Sequence, residues 1–132
     1  MKYMLDTNIC IEIIRRRSAM AVERCESHAG EGLCLSAISF SELLFGCEKS
    51  SHPVKNRHAL EKFLTPIPVL DFPEAAGDDY ARLRARLEKQ GQIIGPNDLL
   101  IAAHCLYLKC TLVTNNEREF RRVAGLRVIN WL

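Results

Sequence analysis

YMLDTNICIEII, residues 3–14, runs from a short apolar stretch into an aspartate and then into a second apolar stretch. The first reads as the end of a strand and the second as the start of a helix, with Asp6 at the joint. A charged group at the edge of a core is costly unless it is paired or bound to a cation. Asp6 therefore demands a partner from elsewhere in the chain.

The same alternation continues outward. Strand patterns fall at residues 2–5, 33–36, 67–70, 111–114 and 127–130, and helical patterns at 9–16, 19–28, 38–49, 54–64, 73–90, 97–109 and 117–122. Leu60, Phe63 and Leu64 recur at helical spacing, as do Tyr80, Leu83 and Leu87. Strands separated by helices imply parallel pairing, because a parallel neighbour is reached only through a long crossover. Pro53, Pro66, Pro68, Pro73 and Pro96 all stand at proposed boundaries. The expected fold is α/β: a three-layer sandwich with a mostly parallel central sheet flanked by helices, in a single domain over residues 1–132.

With 132 residues, the chain is long enough to bury a core without staples. A net charge of +2 neither demands nor excludes a nucleic-acid partner, since a local patch suffices to bind phosphate. No C-x-x-C pair occurs among Cys10, Cys25, Cys34, Cys47, Cys105 and Cys110. Several lie in apolar runs, and nothing at the start resembles a signal peptide. They read as buried, reduced thiols of a cytoplasmic protein. No apolar run reaches the roughly 18 residues of a membrane span.

The acids carry the functional signal. Asp6 ends the first strand, Glu42 opens the helix after the second, Asp98 lies near the start of the long penultimate helix, and Asn116 follows the fourth strand. Ligands of open parallel sheets bind outside the carboxyl ends of the strands. Each residue also has a capping explanation. Asp6 or Thr7 caps a helix, Ser39 with Glu42 fits a capping box, Asn116 with Glu119 fits another, and Asp98 follows Pro96 in a first turn. Caps explain the acids singly but not their convergence. Two unit charges 4 Å apart repel by about 4 kcal/mol at an effective dielectric of 20. A hard divalent cation, Mg²⁺ or Mn²⁺, relieves that repulsion with oxygen ligands. The expected metal pocket is Asp6, Glu42 and Asp98, supported by Asn116 and Thr7.

A cation in such a pocket polarises phosphoryl oxygens and lowers the pKa of its water, which suits a phosphodiester substrate. Arg15, Arg16 and Arg17 close the first helix; Arg82, Arg86 and Lys89 lie off the apolar stripe of Leu83 and Leu87. Arg15, Arg82, Arg86 and Lys89 are candidate RNA contacts, although a solvated charged face explains them equally well. Few aromatics are present for base stacking, which favours recognition of backbone and shape. His104 lies roughly 240° round its helix from Asp98 and reads as core or boundary. His28, His52 and His58 likewise lack zinc-hydrolase spacing, and phosphate-loop, dinucleotide and serine-nucleophile motifs are absent.

Four strings, LDTNI (5–9), SAISFSELLFG (36–46), IGPNDLLIAAH (94–104) and LVTNNEREF (112–120), together resemble a PIN-domain ribonuclease, specifically a VapC toxin of type II toxin–antitoxin systems. The resemblance runs in order over nearly the whole chain. It implies a PIN-like fold and a Mg²⁺-dependent endoribonuclease, with Asp6, Glu42 and Asp98 as acidic residues. The fourth acidic position falls at Asn116, an amide without charge, with Asn115 and Thr7 as supports. It further implies a structured RNA substrate, plausibly the anticodon stem-loop of initiator tRNA. A homodimer is implied too, neutralised by a VapB-type antitoxin whose C-terminal segment fills the acidic groove. Asp6 and Asp98 would hold the metal, and Glu42 would bind it or orient the attacking water. A dehalogenase-type phosphatase would need an acid where Asn8 stands, and a receiver-type phosphoacceptor a lysine that TLVTNN (111–116) lacks. The rival of a different class is a PIN-fold module that binds RNA or protein without cutting.

Overall fold

Residues 2–132 are described by a computed structural model. Its strands are β1 (Tyr3–Leu5), β2 (Leu33–Ser36), β3 (Val69–Leu70), β4 (Thr111–Val113) and β5 (Arg127–Ile129). Its α-helices are α1 (Thr7–Ile14), α2 (Ala19–Ser27), α3 (Ala37–Glu48), α4 (Pro53–Leu64), α5 (Ala76–Lys89), α6 (Pro96–Leu108) and α7 (Glu117–Phe120). The five strands form one sheet in the order β3-β2-β1-β4-β5, and every pairing is parallel.

Alternation along each strand feeds two cores, since successive side chains point to opposite faces. Met4, Cys34 and Leu112 face one layer, packing with Leu83, Leu87, Ile101, Ala102 and Phe120 from α5, α6 and α7. Leu5, Leu33, Leu35 and Val113 face the other, against Ile9, Ile13, Ala21, Leu43 and Leu60 from α1 to α4. With both faces covered, the strands must be apolar throughout, which is why they read as short unbroken runs.

The helix starts have identifiable causes. Asp6 has extended backbone, and its Oδ1 accepts from Ile9 N at 2.9 Å, capping α1. Ser18 caps α2 by accepting from Ala21 N at 3.1 Å. Pro53 and Pro96 begin α4 and α6, where a missing N–H costs nothing. α6 ends on Lys109, whose φ of 58° is left-handed.

Several boundaries differ from the sequence reading. α1 starts at Thr7, two residues early, because Asp6 supplies the cap. α3 is capped by Ser36, whose Oγ accepts from Ile38 N at 3.2 Å. The Ser39–Glu42 capping box therefore does not form; Ser39 is buried inside α3, and Glu42 lies in its second turn. Only Val69 and Leu70 pair within 67–70, because Pro68 has no N–H to offer a ladder. Residues 73–75 turn before α5, with Ala76 N donating to Pro73 O at 3.0 Å. His104 is buried, its Nδ1 2.8 Å from Ser36 Oγ, as a core residue should be. Five cysteines are buried, Cys47 is half-buried, and none is in a disulfide. Among the described residues no helix is long and apolar enough to cross a membrane.

Leu112 is fully buried in the central part of the sheet. Leu112→Ala is expected to lower unfolding free energy by about 3 kcal/mol, read from urea midpoints. Met20→Ala, on the half-exposed Met20, should change it by less than about 0.5 kcal/mol.

Candidate active site

The chain steps outward from β1 through β2 to β3, then returns to the far side of β1 as β4. Such a reversal opens a crevice at the carboxyl ends of the two strands, the usual ligand position in an open α/β sheet. Asp6 follows β1 there, and its N–H donates to Val113 O on β4 at 3.0 Å. The segment Thr114–Asn116 follows β4. α6 runs back toward the start of β4, so its first turn, with Asp98, opens at the same edge.

Asp6 is almost wholly buried, at 4% exposure. Its Oδ1 serves the α1 cap, and Thr114 Oγ1 donates to its Oδ2 in a short hydrogen bond. Thr114 Oγ1 in turn accepts from Asn116 N at 2.9 Å, which orients the hydroxyl proton toward Asp6. Burial raises the Asp6 pKa to about 6, with the Glu42 charge adding to it and the Thr114 and Ile9 hydrogen bonds opposing. Asp98 is also raised to about 6, by burial first and then by the charges of Glu119, Asp6 and Glu42. Asp98 therefore senses Glu119, Asp6 and Glu42 across the crevice, and Asp6 senses Glu42.

Glu42 reaches the group from α3. Thr7 Oγ1 donates to its Oε1 at 2.6 Å, and Asn97 Nδ2 to its Oε2 at 3.3 Å. Thr7, expected as a support, thus acts through Glu42.

Asn116 follows β4 at the acidic edge and acts through Glu119. Its side chain caps nothing, so the Asn116–Glu119 capping box is absent. Instead Nδ2 donates to Glu119 Oε2 at 2.8 Å, while Gly95 N donates to Glu119 Oε1 at 2.7 Å. These donors hold the Glu119 carboxyl below its usual range. A Cβ on Gly95 would lie 3.7 Å from Asp98 Oδ2 and 3.8 Å from Glu119 Oε1, so both carboxylates flank that backbone. Glu119 is the fourth acid of the cluster. The sequence reading saw it only as a capping partner, although it stands on α7, the short helix that follows β4 at the same sheet edge. Asn97 and Thr114 were missed because donors to carboxylates have no spacing signature. Asn115 is exposed beside the crevice.

The basic candidates are spread more widely. Arg86 and Lys89 lie exposed in the last turn of α5, whereas Arg82 is 3.9 Å from Asp79 on the same helix. Arg15 is at the far end of α1 and lines a cleft of about 130 Å³ with Glu42, Ile11 and Leu43.

A PIN domain model matches residues 3–126. Ribonuclease VapC2 of Haemophilus influenzae is 43% identical over 132 residues, covering 100% of this chain and 99% of the relative. The chain belongs to the VapC family of PIN-domain ribonucleases. The tRNA(fMet)-specific endonuclease VapC of Shigella flexneri is also 43% identical, over 131 residues, 99% of this chain and 98% of the relative. VapBC2 from Rickettsia felis, solved bound to a promoter DNA fragment, superposes with a TM-score of 0.95 at 38% identity and full coverage of both chains. DNA-bound VapBC from Salmonella typhimurium gives 0.94 at 37% identity, covering 100% of this chain and 99% of the other.

In this VapC-family chain, no three His, Cys, Asp or Glu side chains among the described residues close around an ion as a cage. Both glutamates are drawn toward donors, Glu42 toward Thr7 and Asn97, Glu119 toward Asn116 and Gly95. Mg²⁺ suits such a set. It commonly takes only one or two carboxylates and completes its shell with water and substrate phosphate. The donors here are all hard oxygens, and the pKa of Asp6 and Asp98 is raised chiefly by burial, with neighbouring carboxylates adding to it, so a cation would favour the charged form of both.

A pH prediction follows from Asp6. Its folded pKa of about 6 exceeds the ordinary carboxylate value near 3.8. The folded state therefore keeps the proton longer, and stability is lost as pH rises through that interval. Asn preserves the cap and can donate to Thr114 without charge. In EDTA at pH 7.5, Asp6→Asn should be more stable than wild type by about 1–3 kcal/mol in urea titrations, the gap closing near pH 4. Equal stability at both pH values would contradict the buried-charge account.

Proposed function

We propose that the chain is a Mg²⁺-dependent endoribonuclease toxin acting on structured RNA, with the anticodon stem-loop of initiator tRNA as its substrate and Mn²⁺ able to substitute. The observation that carries this reading is the convergence of Asp6, Glu42, Asp98 and Glu119 on one sheet edge, close enough that three of the charges raise the fourth. The tRNA(fMet)-specific name of the Shigella flexneri relative supports the substrate.

In this reading Asp6 and Asp98 would hold the cation, which would supply charge to neutralise phosphate and would acidify a water. Asp6 is kept in register by Thr114 and the α1 cap. Glu42, fixed by two donors, retains lone pairs on both oxygens and accepts a proton from the water attacking phosphorus in line. Glu119 supplies charge at the opposite wall, and Asn116 holds it there. The products carry 5′-phosphate and 3′-hydroxyl ends. Arg86, Lys89, Arg82 and Arg15 contact the RNA backbone outside the crevice.

The VapBC complexes from Rickettsia felis and Salmonella typhimurium support a VapB-type antitoxin as the neutralising partner of this chain, and a cytoplasmic location belongs to the same reading. A homodimer is part of the same reading. Phe45 on α3 and Val54 on α4, 64% and 71% exposed, offer apolar surface for it on two helices that pack together.

The test is cleavage of a tRNA panel by purified toxin. Wild type with Mg²⁺ is expected to cut, and EDTA to stop it. Asp6→Asn and Asp98→Asn should each lose at least about a hundredfold in rate, some 2.7 kcal/mol of barrier. Wild type and both variants leaving RNA equally intact would establish a binding module instead.

A further inference from the structure

We propose that Asn97 is a positioning residue that fixes the Glu42 carboxylate for its work on the attacking water. The proposal rests on the ribonuclease reading above and concerns the orientation of one of its acids. Glu42 is the one member of the cluster carried by α3, and its side chain must span from that helix to the crevice. A glutamate side chain has rotamer freedom worth about 1.5–2 kcal/mol, so reach alone does not fix its carboxylate plane. Two donors do. Thr7 Oγ1 takes Oε1 at 2.6 Å, and Asn97 Nδ2 takes Oε2 at 3.3 Å.

The placement of the donors gives this clamp its meaning. Thr7 directly follows Asp6, and Asn97 directly precedes Asp98. Each donor's backbone is therefore joined to one of the two aspartates, and Glu42 is referenced to both rather than to α3 packing alone. Asn97 has no helix end to serve with that amide: Gly95 is the N-cap residue of α6, and the Asn97 amide points away from its own helix to α3. Its exposure means that replacing it removes the donor without opening a core. A single Thr7 contact leaves Oε2 free to swing, and the carboxylate then faces the water only part of the time.

The experiment combines single-turnover cleavage of tRNA at saturating Mg²⁺ with NMR of the metal-free, RNA-free protein. Asn97→Leu is expected to lower the cleavage rate constant about tenfold, as loss of an orienting partner does, with KM within about twofold and an unchanged melting temperature. Asn97→Gln, which still carries an amide donor, should recover most of the rate. In a Glu42→Ala background, Asn97→Leu should cost less than about twofold, because its target is gone. The Asn97 side-chain amide resonances should move when Glu42 is replaced by Ala. Wild-type cleavage by Asn97→Leu, an equal loss in the Glu42→Ala background, or amide resonances indifferent to Glu42→Ala would each overturn the proposal. A wild type that cuts no RNA would instead overturn the ribonuclease reading.

Discussion

Asp6 sits almost out of water at the end of β1, within reach of the charges of Glu42 and Asp98, and still has hydrogen bonds that favour its charged form. Burial pushes its proton affinity up while Thr114 and the Ile9 amide pull it down, leaving it near pH 6. A carboxylate held so close to balance is expensive for the fold and responsive to a cation. The rest of the edge is arranged around it. β4 lies beside β1 so that Thr114 can reach it, α1 starts where its side chain provides a cap, and α6 points Asp98 at it. Replacing those contacts by well-packed apolar groups would relieve the charge at no cost in packing, which is the exchange ordinary cores favour. Retaining the acid makes sense as a site and not as a support.

The glutamates differ from the aspartates in a way that sorts the work. Asp6 and Asp98 gain proton affinity from burial, whereas Glu119 is held below the usual range by neutral donors. Glu42 also has a donor on each oxygen. One pair is underneutralised and the other is fixed in direction. Neutral amides and hydroxyls accomplish the second task without adding charge to an already crowded edge.

Much of the fold was legible from periodicity. All five strands and seven helices occur where their patterns stand, because a sheet covered on both faces demands apolar runs and the intervening helices demand stripes. Ends were less legible. Ser36 and Ser39 are both plausible caps in the same string, and both are buried; only the extended backbone of Ser36, with its hydroxyl accepting from Ile38 N, distinguishes them. Asp6, Glu42 and Asp98 could be recognised because strand ends and first turns are positions a sequence reveals. Glu119 was overlooked because its spacing to Asn116 satisfied a capping rule so well that no further explanation was needed. Asn97 and Thr114 act through geometry alone: a side-chain amide meeting a carboxylate 55 residues away has no trace in local pattern.

The hydroxyl that steadies Asp6 comes from a residue 108 positions later in the chain. During synthesis, then, β1 emerges with its acid long before β4 exists to stand next to it, and Glu119 comes later still. An unfinished polypeptide on the ribosome carries only part of the constellation and has nothing with which to seat it. For a toxin, this strand order acts as a delay: the site is complete only once β4 and α7 have been made and the central strand has its second neighbour.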